Sequence, residues 1–528
     1  MFNQKNSIKG ATSILVITLA FSNVLGLIRD HFLAQKITTD LLDTYYAAFR
    51  LPDLIFNILI LGAVSSAFIP VFSSLISNNQ QKEANKLVSN VLTMGMLGII
   101  LLAAILFLTM PFLIQFIVPE FSAEKQATTV YLSRFLLFSP IFFGFSYLFS
   151  AILNSYKRFI ISSFAPLIYN LSIIIATVFF AEKYGVYAVV WGVISGAFLH
   201  MLIQALPLNS LGVRLGFVWG TSNQLFRKVI RLMIPRSIGL GALQIMVISF
   251  TAIASGLGAG SVAILQLADN IQTMPTVVFG TSIACALFPT LSEHFSSGKL
   301  DQFSHHIKKA MITIIYFLLP LSIAIILLRI QIVRLVLGSG EFGWTETELT
   351  AQTLGFFAVS ILFSGLQPLL ARAYYALQNT RIPTYYSLIS VTVSILLGIV
   401  FGNILGVAGL ALAFTCGSIL NALLLYNGLK KKLDNLDDKT LWSSILKIII
   451  GTFAMAVSIQ LVKIAVGTIY DLDRFHEVAA QAGISAAIGM AAYFTTTYFL
   501  GFKEFQLLSL ERLMGVFNGR GQNDEKKL

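Results

Sequence analysis

Long apolar runs alternate with short polar stretches along the whole chain. A run of roughly 20 residues crosses a bilayer as an α-helix, whereas a membrane β-barrel shows only weak alternation. The pattern predicts fourteen spans, at approximately residues 11–35, 45–76, 87–118, 128–154, 160–181, 185–207, 229–256, 261–290, 308–337, 351–377, 383–403, 406–429, 442–469 and 478–501. The first run is too long for the apolar core of a signal peptide, so we expect it to be a retained helix.

Composition supports the same class of protein. Of the 528 residues, 56% are hydrophobic and 11% are charged, and the mean hydropathy is +0.81. Cys285 and Cys416 fall in separate spans, which favours neither a disulfide nor a metal site. The chain contains no nucleotide-binding loop, metal-binding histidine pair or nucleophile motif. We therefore expect a transporter that is not an enzyme and has no cofactor.

The basic residues are distributed unevenly between the predicted loops. If the amino terminus is cytoplasmic, 24 Lys and Arg lie on the inner side and six on the outer side. This is the positive-inside pattern, and it predicts an even number of spans with both termini in the cytoplasm. The net charge of +12 therefore reflects membrane topology and does not indicate a nucleic-acid partner.

Two pairs of segments indicate an internal duplication. Residues 66–79 resemble 285–298 at an offset of 219, and residues 151–158 resemble 375–382 at an offset of 224. An offset of six helices gives two copies that cross the membrane in the same direction. We predict an all-α polytopic membrane protein with two six-helix lobes, at 1–220 and 221–440, around a central cavity. Two appended helices follow at 441–501, and a cytoplasmic amphipathic segment and tail at 502–528.

Charges cluster in the first hairpin, GLIRDHFLAQKITTDLLDTYYAAFRLPD at residues 26–53. This stretch contains Arg29, Asp30, Asp43, Arg50 and Asp53 between two apolar runs. A charge at the centre of a membrane helix costs about 2.5–3.5 kcal/mol. The arginines either reach the outer interface or help to form a wall of the cavity, and the clustering favours the cavity. The proline at position 52 is expected to interrupt the second span.

The eighth span contains a second polar group. Asp269 lies about eight residues inside it, roughly 12 Å into the bilayer at 1.5 Å per residue. Asn270 and Gln272 are beside it, and Pro275 follows. We predict that Asp269 lines the cavity; the alternative is an ion pair with an arginine of a neighbouring helix. Arg236, in the seventh span, either faces the cavity or reaches the inner surface.

Several motifs carry a resemblance to a known family. They are SNVLGLIRD (22–30), DTYYAAFRLPDL (43–54), GAVSSAFIP (62–70), FAPLIYNLS (164–172), GSVAILQLADN (260–270) and LFPTLS (287–292). In these motifs the chain resembles the MviN/MurJ family, the lipid II flippases of peptidoglycan synthesis, within the multidrug/oligosaccharidyl-lipid/polysaccharide exporter superfamily. The resemblance extends from about residue 5 to residue 500.

The resemblance implies a function in the bacterial inner membrane. The cavity would take up the pyrophosphate–disaccharide–pentapeptide headgroup of lipid II, and the appended helices would carry its undecaprenyl tail while the lobes alternate access. It places functional charges at Arg29, Asp30, Asp43 and Arg50, and Arg suits bidentate phosphate contacts. Expected partners are lipid II, membrane lipids and cell-wall synthesis proteins.

The chain departs from the family pattern where arginine is usual. The three positions hold Asn23, Phe56 and Asn270. An asparagine can hydrogen-bond a headgroup but contributes no charge. We therefore expect anion binding to depend on Arg29, Arg50 and Arg236.

Other functions stay open at this point. The same fold could export a different polyprenyl-linked glycan, or it could be an ion-coupled small-molecule antiporter with Asp43, Asp53 and Asp269 as cation or proton sites. A structural scaffold is disfavoured, because polar groups clustered in a cavity are costly in a membrane without a transport role. A coupling ion, Na⁺ or H⁺, and the membrane potential are both compatible with these carboxylates.

Overall fold

A computed structural model describes residues 8–61, 68–219, 224–433, 436, 439–469 and 474–502, and these residues contain helices but no strand. The helices, in chain order, are α1 (Ile8–Lys36), α2 (Thr39–Ala48), α3 (Arg50–Ile55), π1 (Phe56–Leu61), α4 (Ile69–Ser77), α5 (Gln81–Ile117), α6 (Ala123–Leu136), α7 (Phe138–Ser155), α8 (Phe159–Tyr184), α9 (Val186–Ala205), α10 (Gln224–Ser255), α11 (Ser261–Pro275), π2 (Thr276–Thr281), α12 (Ser282–Ser296), α13 (Leu300–Val336), α14 (Trp344–Ala376), α15 (Arg381–Leu405), α16 (Val407–Lys430), α17 (Lys439–Gly467) and α18 (Phe475–Phe499). Here π1 and π2 are π-helices, and a short 3₁₀ turn covers Asn209–Leu211.

The all-α, multi-pass class predicted from the sequence is confirmed. In the described part of the chain, eleven helical stretches are long and apolar enough to cross a membrane. All fourteen predicted spans coincide with helix in their described residues, but those at 11–35, 45–76 and 229–256 have no counterpart among the eleven. These three spans contain the charges of the first hairpin and Arg236, so the count of fourteen stays a prediction.

The chain divides into two compact units. The first consists of Met1–Gln266, Ser339–Glu346 and Gly398–Val407, and the second of Leu267–Gly338, Thr347–Leu397 and Ala408–Leu528. The predicted lobe boundaries near residues 220 and 440 stay predictions. The predicted amphipathic segment at 502–528 lies outside the described residues after Phe502.

In the first unit, small residues allow α8 and α9 to pack closely. A Cβ added at Gly192 would lie 2.6 Å from the Cβ of Ala176, and one at Gly196 would lie 3.0 Å from the carbonyl oxygen of Tyr169. Close approach through small residues is the usual way that membrane helices associate. α1 packs on the same α8, which places Arg29 opposite the middle of α8.

In the second unit, α17 and α18 pack on α13. The Tyr493 hydroxyl donates a hydrogen bond to the Tyr316 carbonyl at 2.7 Å, and both rings are buried. The Phe502 ring stacks on Tyr316 with centroids 4.8 Å apart. A Cβ at Gly451 would lie 2.7 Å from the Cγ2 of Thr497, so α17 and α18 are in close contact. The pair that the sequence marks as appended is thus tied to a long central helix.

Two predicted spans are interrupted by π-helical turns. After α2 ends at Ala48, the short α3 leads directly into π1, and Pro52 lies inside α3. α11 ends at Pro275 and continues as π2. The two π-helices begin 220 positions apart, at residues 56 and 276. This spacing is close to the offset of 219 found in the sequence, and it supports the predicted duplication.

Candidate functional site

Arg29 and Asp30 form an ion pair near the carboxyl end of α1. The guanidinium donates from Nε and Nη2 to Asp30 Oδ1 at 3.0 and 2.8 Å, and from Nη1 to Asn170 Oδ1 at 3.2 Å. The Arg29 side chain is 21% exposed and that of Asp30 only 2%. Residues adjacent on a helix do not normally face each other, so this pair is an uncommon one for an α-helix. The pair has no net charge, so it attracts an anion less strongly than Arg29 would alone.

Asp43 joins three helices. It is fully buried on α2, and it accepts hydrogen bonds from the backbone N–H groups of Gly260 and Ala263 at 2.7 and 2.8 Å. Its carboxylate also pairs with Lys125 of α6 at 2.8 Å. A carboxylate at a helix N-terminus compensates the unpaired N–H groups and the helix dipole. Asp43 therefore holds the start of α11 in place.

Asp43 also differs electrostatically from an exposed carboxylate. α2 is not among the eleven apolar spans. Burial raises the pKa of the Asp43 carboxyl, and the Lys125 ammonium acts in the opposite direction. The predicted part of Asp43 in substrate binding stays a prediction, while its contacts give it a structural role.

Arg50 begins α3 and is only 6% exposed. Its Nε donates to the hydroxyl of Thr251 at 2.7 Å, and Nη2 donates to the side-chain oxygen of Gln266 at 3.1 Å. Both acceptors are neutral. Thr251 and Gln266 thus hold the Arg50 guanidinium in position against α10 and α11.

Asp53 lies one helical turn beyond Arg50 and lines a cavity of about 230 Å³. The residues of this aromatic cavity that matter below are Asp53, Phe56, Phe143, Tyr147, Tyr169 and His200. They come from α3, π1, α7, α8 and α9, all in the first unit. The structure therefore brings Asp53 together with aromatic rings that the sequence does not link to it.

The polar group of the eighth span lies in the second unit. Asp269 is half-buried and accepts a hydrogen bond from Gln272 Nε2 at 2.8 Å. Gln272 is 2% exposed and in turn accepts a hydrogen bond from the hydroxyl of Ser360 on α14 at 3.3 Å. Asn270 is also half-buried. Asp269 is thus one member of a polar network between α11 and α14.

The remaining predicted residues are less informative. Asn23 is half-buried on α1, seven residues before Asp30 and so on the same helical face. Arg236 lies in α10, but its side chain is outside the described residues. Within the described ranges, no group of three or more His, Cys, Asp or Glu side chains is placed to hold a metal ion.

Three residues at these sites escaped the sequence reasoning. Lys125 was counted only as an outer-loop charge, and Asn170 carried no signal beyond its position in a motif. His200 is 6% exposed in α9, and its Nδ1 lies 2.6 Å from the hydroxyl of Ser146. An ionisable residue inside a span is a recognisable signal, and it could have identified His200.

A second cavity, of about 580 Å³, lies beside the Asp43 contacts. Asp40, Glu120, Glu124 and Lys125 contribute its charges. The Lys125 ammonium bonds to Asp40 at 2.6 Å as well as to Asp43. Lys125 is therefore shared between an exposed and a buried carboxylate.

Comparison with known proteins gives consistent results. A family model described as "Lipid II flippase MurJ" matches residues 37–478. The chain is 27% identical to "Probable lipid II flippase MurJ" of Bdellovibrio bacteriovorus, over 94% of this chain and 96% of that protein. It is also 27% identical to "Lipid II flippase MurJ" of Burkholderia cenocepacia, over 78% of this chain and 81% of that protein.

Solved structures agree with the sequence comparisons. "Lipid II flippase MurJ, inward closed conformation" aligns with a TM-score of 0.77 and 25% identity, covering 94% of this chain and 99% of that chain. A multidrug resistance transporter of the MATE family, described as inward-facing, aligns with a TM-score of 0.68 at 13% identity, covering 80% of this chain and 98% of that chain. The second likeness concerns the fold alone.

Proposed function

The chain belongs to the MurJ lipid II flippase family, and from that premise we propose that it moves lipid II from the cytoplasmic to the outer leaflet of the bacterial inner membrane. The observation that carries the proposal is the family match over residues 37–478. The near-complete alignment with an inward-closed relative supports it. Transport occurs by alternating access, as in other carriers built from repeats.

Arg50 is the residue best suited to bind the pyrophosphate of the headgroup. A planar guanidinium can form two parallel hydrogen bonds to a phosphate, and a site of low dielectric strengthens them. The hydroxyl of Thr251 and the side-chain oxygen of Gln266 fix the orientation of Arg50. Arg29 contributes less, because Asp30 already compensates its charge.

The undecaprenyl tail stays in lipid beside α17. Large apolar side chains are exposed along one stripe of this helix: Trp442, Leu446, Ile449, Phe453, Val457, Leu461 and Ile464. They recur at intervals of three or four residues, which places them on one face. An apolar face anchored to α13 through α18 offers a track for a polyprenyl chain.

Orientation and energy coupling complete the proposal. Both termini face the cytoplasm, because the basic residues are concentrated in the loops assigned to that side. The half-buried Asp269 is the carboxylate that we assign to a coupling ion, Na⁺ or H⁺, and the membrane potential is an alternative driving force. Cell-wall synthesis proteins are the natural protein partners of such an activity.

A different polyprenyl-linked glycan is the second candidate substrate. The observation in its favour is the replacement of usual family arginines by Asn23, Phe56 and Asn270. The loss of fixed cations weakens binding of a highly charged headgroup more than binding of a headgroup with a lower negative charge.

Complementation tests the proposal directly. The native flippase is depleted in a bacterium, this chain is expressed, and lipid II in the outer leaflet is quantified. We expect the wild-type chain to restore export and Arg50→Gln to reduce it about tenfold or more, since a charge-assisted phosphate contact is lost. The control is Arg134→Gln, because Arg134 is partly exposed and donates to the Phe107 carbonyl of α5.

Two outcomes would contradict this reasoning. Absence of export by a well-expressed, correctly inserted wild-type chain would reject lipid II as the substrate and favour the second glycan. Equal loss of export in Arg50→Gln and Arg134→Gln would reject a specific role of Arg50 in binding the headgroup.

A further inference from the structure

The carboxylate of Asp53 lines the aromatic cavity. No described residue donates a hydrogen bond to this carboxylate or forms an ion pair with it. Arg50, one turn earlier, acts on this carboxylate electrostatically, while its Nε and Nη2 donate to Thr251 and Gln266. A carboxylate in an apolar environment is costly unless a cation or hydrogen-bond donors compensate it. Among the described residues, the carboxylate thus has a cation nearby but no donor in direct contact, which leaves its oxygens open to a ligand.

The walls of the cavity suit a cation of a particular kind. The Phe56 ring lies 5.4 Å from Phe143 and 5.2 Å from Tyr147, and Phe143 lies 5.3 Å from Tyr169, each measured between ring centroids. The faces of aromatic rings attract cations, and cages of such rings recognise ammonium groups. The cavity therefore combines one carboxylate with several rings, which is the chemistry of an ammonium site.

Hydrogen-bonding capacity is available as well. The hydroxyls of Tyr147 and Tyr169 make no hydrogen bond to a described residue. A primary ammonium has three N–H donors, which a carboxylate and phenol oxygens can accept. His200 closes one side, with its ring stacked at 21° on Tyr147 and its Nδ1 engaged by Ser146.

We propose that the aromatic cavity between α3, π1, α7, α8 and α9 binds an ammonium group, with Asp53 as its counter-ion. A bare metal cation is a poorer match, because hard cations require several oxygen ligands and most of this wall is carbon. The cavity of about 230 Å³ is several times the roughly 30 Å³ occupied by one water, so an alkylammonium fits.

Two sources could supply the same chemistry. One is a free small amine, and the other is an amine on the peptide of a lipid-linked precursor. The second source rests on the proposed function, whereas binding of a free amine does not. The experiment therefore has one arm without transport and one arm with it.

The first arm measures binding of n-butylammonium chloride to the purified full-length protein in nanodiscs by isothermal titration calorimetry. The uncharged n-butanol and equimolar NaCl are the matched controls. We expect saturable binding of n-butylammonium that Asp53→Asn weakens about tenfold or more, since the charge-assisted contact is lost. Phe56→Leu should weaken it less, and Asp301→Asn, at an exposed position on α13, should leave it unchanged.

The outcomes of this arm are decisive. Equal binding of n-butanol would reduce the site to an apolar pocket and overturn the proposal. Displacement of n-butylammonium by Na⁺ at equal concentration would indicate a metal-ion site and overturn it too. Loss of binding in Asp301→Asn as large as in Asp53→Asn would show a non-specific charge effect. Folding of Asp53→Asn is checked by its elution profile and by its melting temperature, both of which should match those of the wild type.

The second arm identifies the source. Transport of a lipid-linked precursor is compared in proteoliposomes before and after N-acetylation of its peptide amine. If acetylation lowers the transport rate several-fold in the wild type but not in Asp53→Asn, the site binds the amine of the precursor. If the transport rate is unchanged while n-butylammonium still binds, the site binds a free amine. Binding of n-butylammonium without any precursor transport would leave the site standing and reject the proposed function. Transport without n-butylammonium binding would do the reverse.

Discussion

Replacing Asp43 by asparagine should release the start of α11. Asp43 accepts hydrogen bonds from two backbone N–H groups, those of Gly260 and Ala263, and from the Lys125 ammonium. Asparagine keeps one acceptor oxygen but places an NH₂ group against the other donors. The change removes at least one charge-assisted hydrogen bond and the negative half of a buried ion pair.

The magnitude follows from these contacts. A hydrogen bond to a charged group contributes about 1.5–3 kcal/mol, and breaking a buried ion pair costs about 3–5 kcal/mol. The second cost is reduced here, because Lys125 keeps its contact with Asp40 at 2.6 Å. A net loss of about 3 kcal/mol is therefore expected, which corresponds to roughly a hundredfold change in an opening equilibrium.

Hydrogen–deuterium exchange measured by mass spectrometry reads this opening locally. Amides at residues 260–264 should exchange roughly a hundredfold faster in Asp43→Asn than in the wild type. The matched control is Asp40→Asn, which removes the other partner of Lys125 from a side chain that is 55% exposed. Exposed ion pairs contribute about 0–1 kcal/mol, so exchange at 260–264 should change little. Equal exchange in the two variants would refute the assignment of Asp43 as the cap of α11.

Three further predictions test other contacts. Arg29→Gln should destabilise the protein by up to about 3–5 kcal/mol, because it removes the arginine of the buried ion pair with Asp30. In a double-mutant cycle measured by unfolding in detergent, combining it with Asp30→Asn should restore most of the loss, and additive effects would reject the pair. Gly280→Ala should lower the free energy of unfolding by about 1–3 kcal/mol, because its Cβ would lie 2.6 Å from the Cα of Gly365. The control is Gly483→Ala, whose Cβ would meet nothing within 4 Å. Equal melting temperatures of the two variants would contradict this packing. Tyr493→Phe should lower stability by about 1 kcal/mol, because it loses the hydrogen bond to the Tyr316 carbonyl, whereas Tyr385→Phe at an exposed position should have no effect. The measurement is limited proteolysis of α18. Indistinguishable cleavage of the two variants would show that this hydrogen bond does not anchor α18.

The class of fold could be predicted because membrane helices are encoded locally. Apolar runs of sufficient length correspond to eleven candidate spans in the described part of the chain, including α17 and α18. What the periodicity could not show is that residues 39–61 form two short helices and a π-helix instead of one continuous element. A π-turn depends on how neighbouring helices pack, and no residue type marks it in a single sequence.

The sequence identifies the charged residues of the candidate site but not the residues that they contact. The charges of the first hairpin stood out because a membrane does not tolerate them without a reason. Their partners lie far away in sequence, since Asp43 contacts Lys125 across 82 positions and Gly260 across 217. Arg29, by contrast, is paired with its immediate neighbour, a contact that helical geometry disfavours. Neither the long-range contacts of Asp43 nor the pairing of Arg29 with its neighbour can be identified without the folded structure.

The matching positions of π1 and π2 have an evolutionary consequence. A π-turn arises when one residue is inserted into an α-helix, and insertions at equivalent places in two copies are improbable as independent events. A single π-helix already present before the duplication accounts for both positions, residues 56–61 and 276–281. Counting 220 positions from Arg50 leads to Asn270, so the two copies kept the backbone irregularity while their side chains diverged in charge. Between the two halves of this chain, the backbone irregularity is therefore better preserved than the charge.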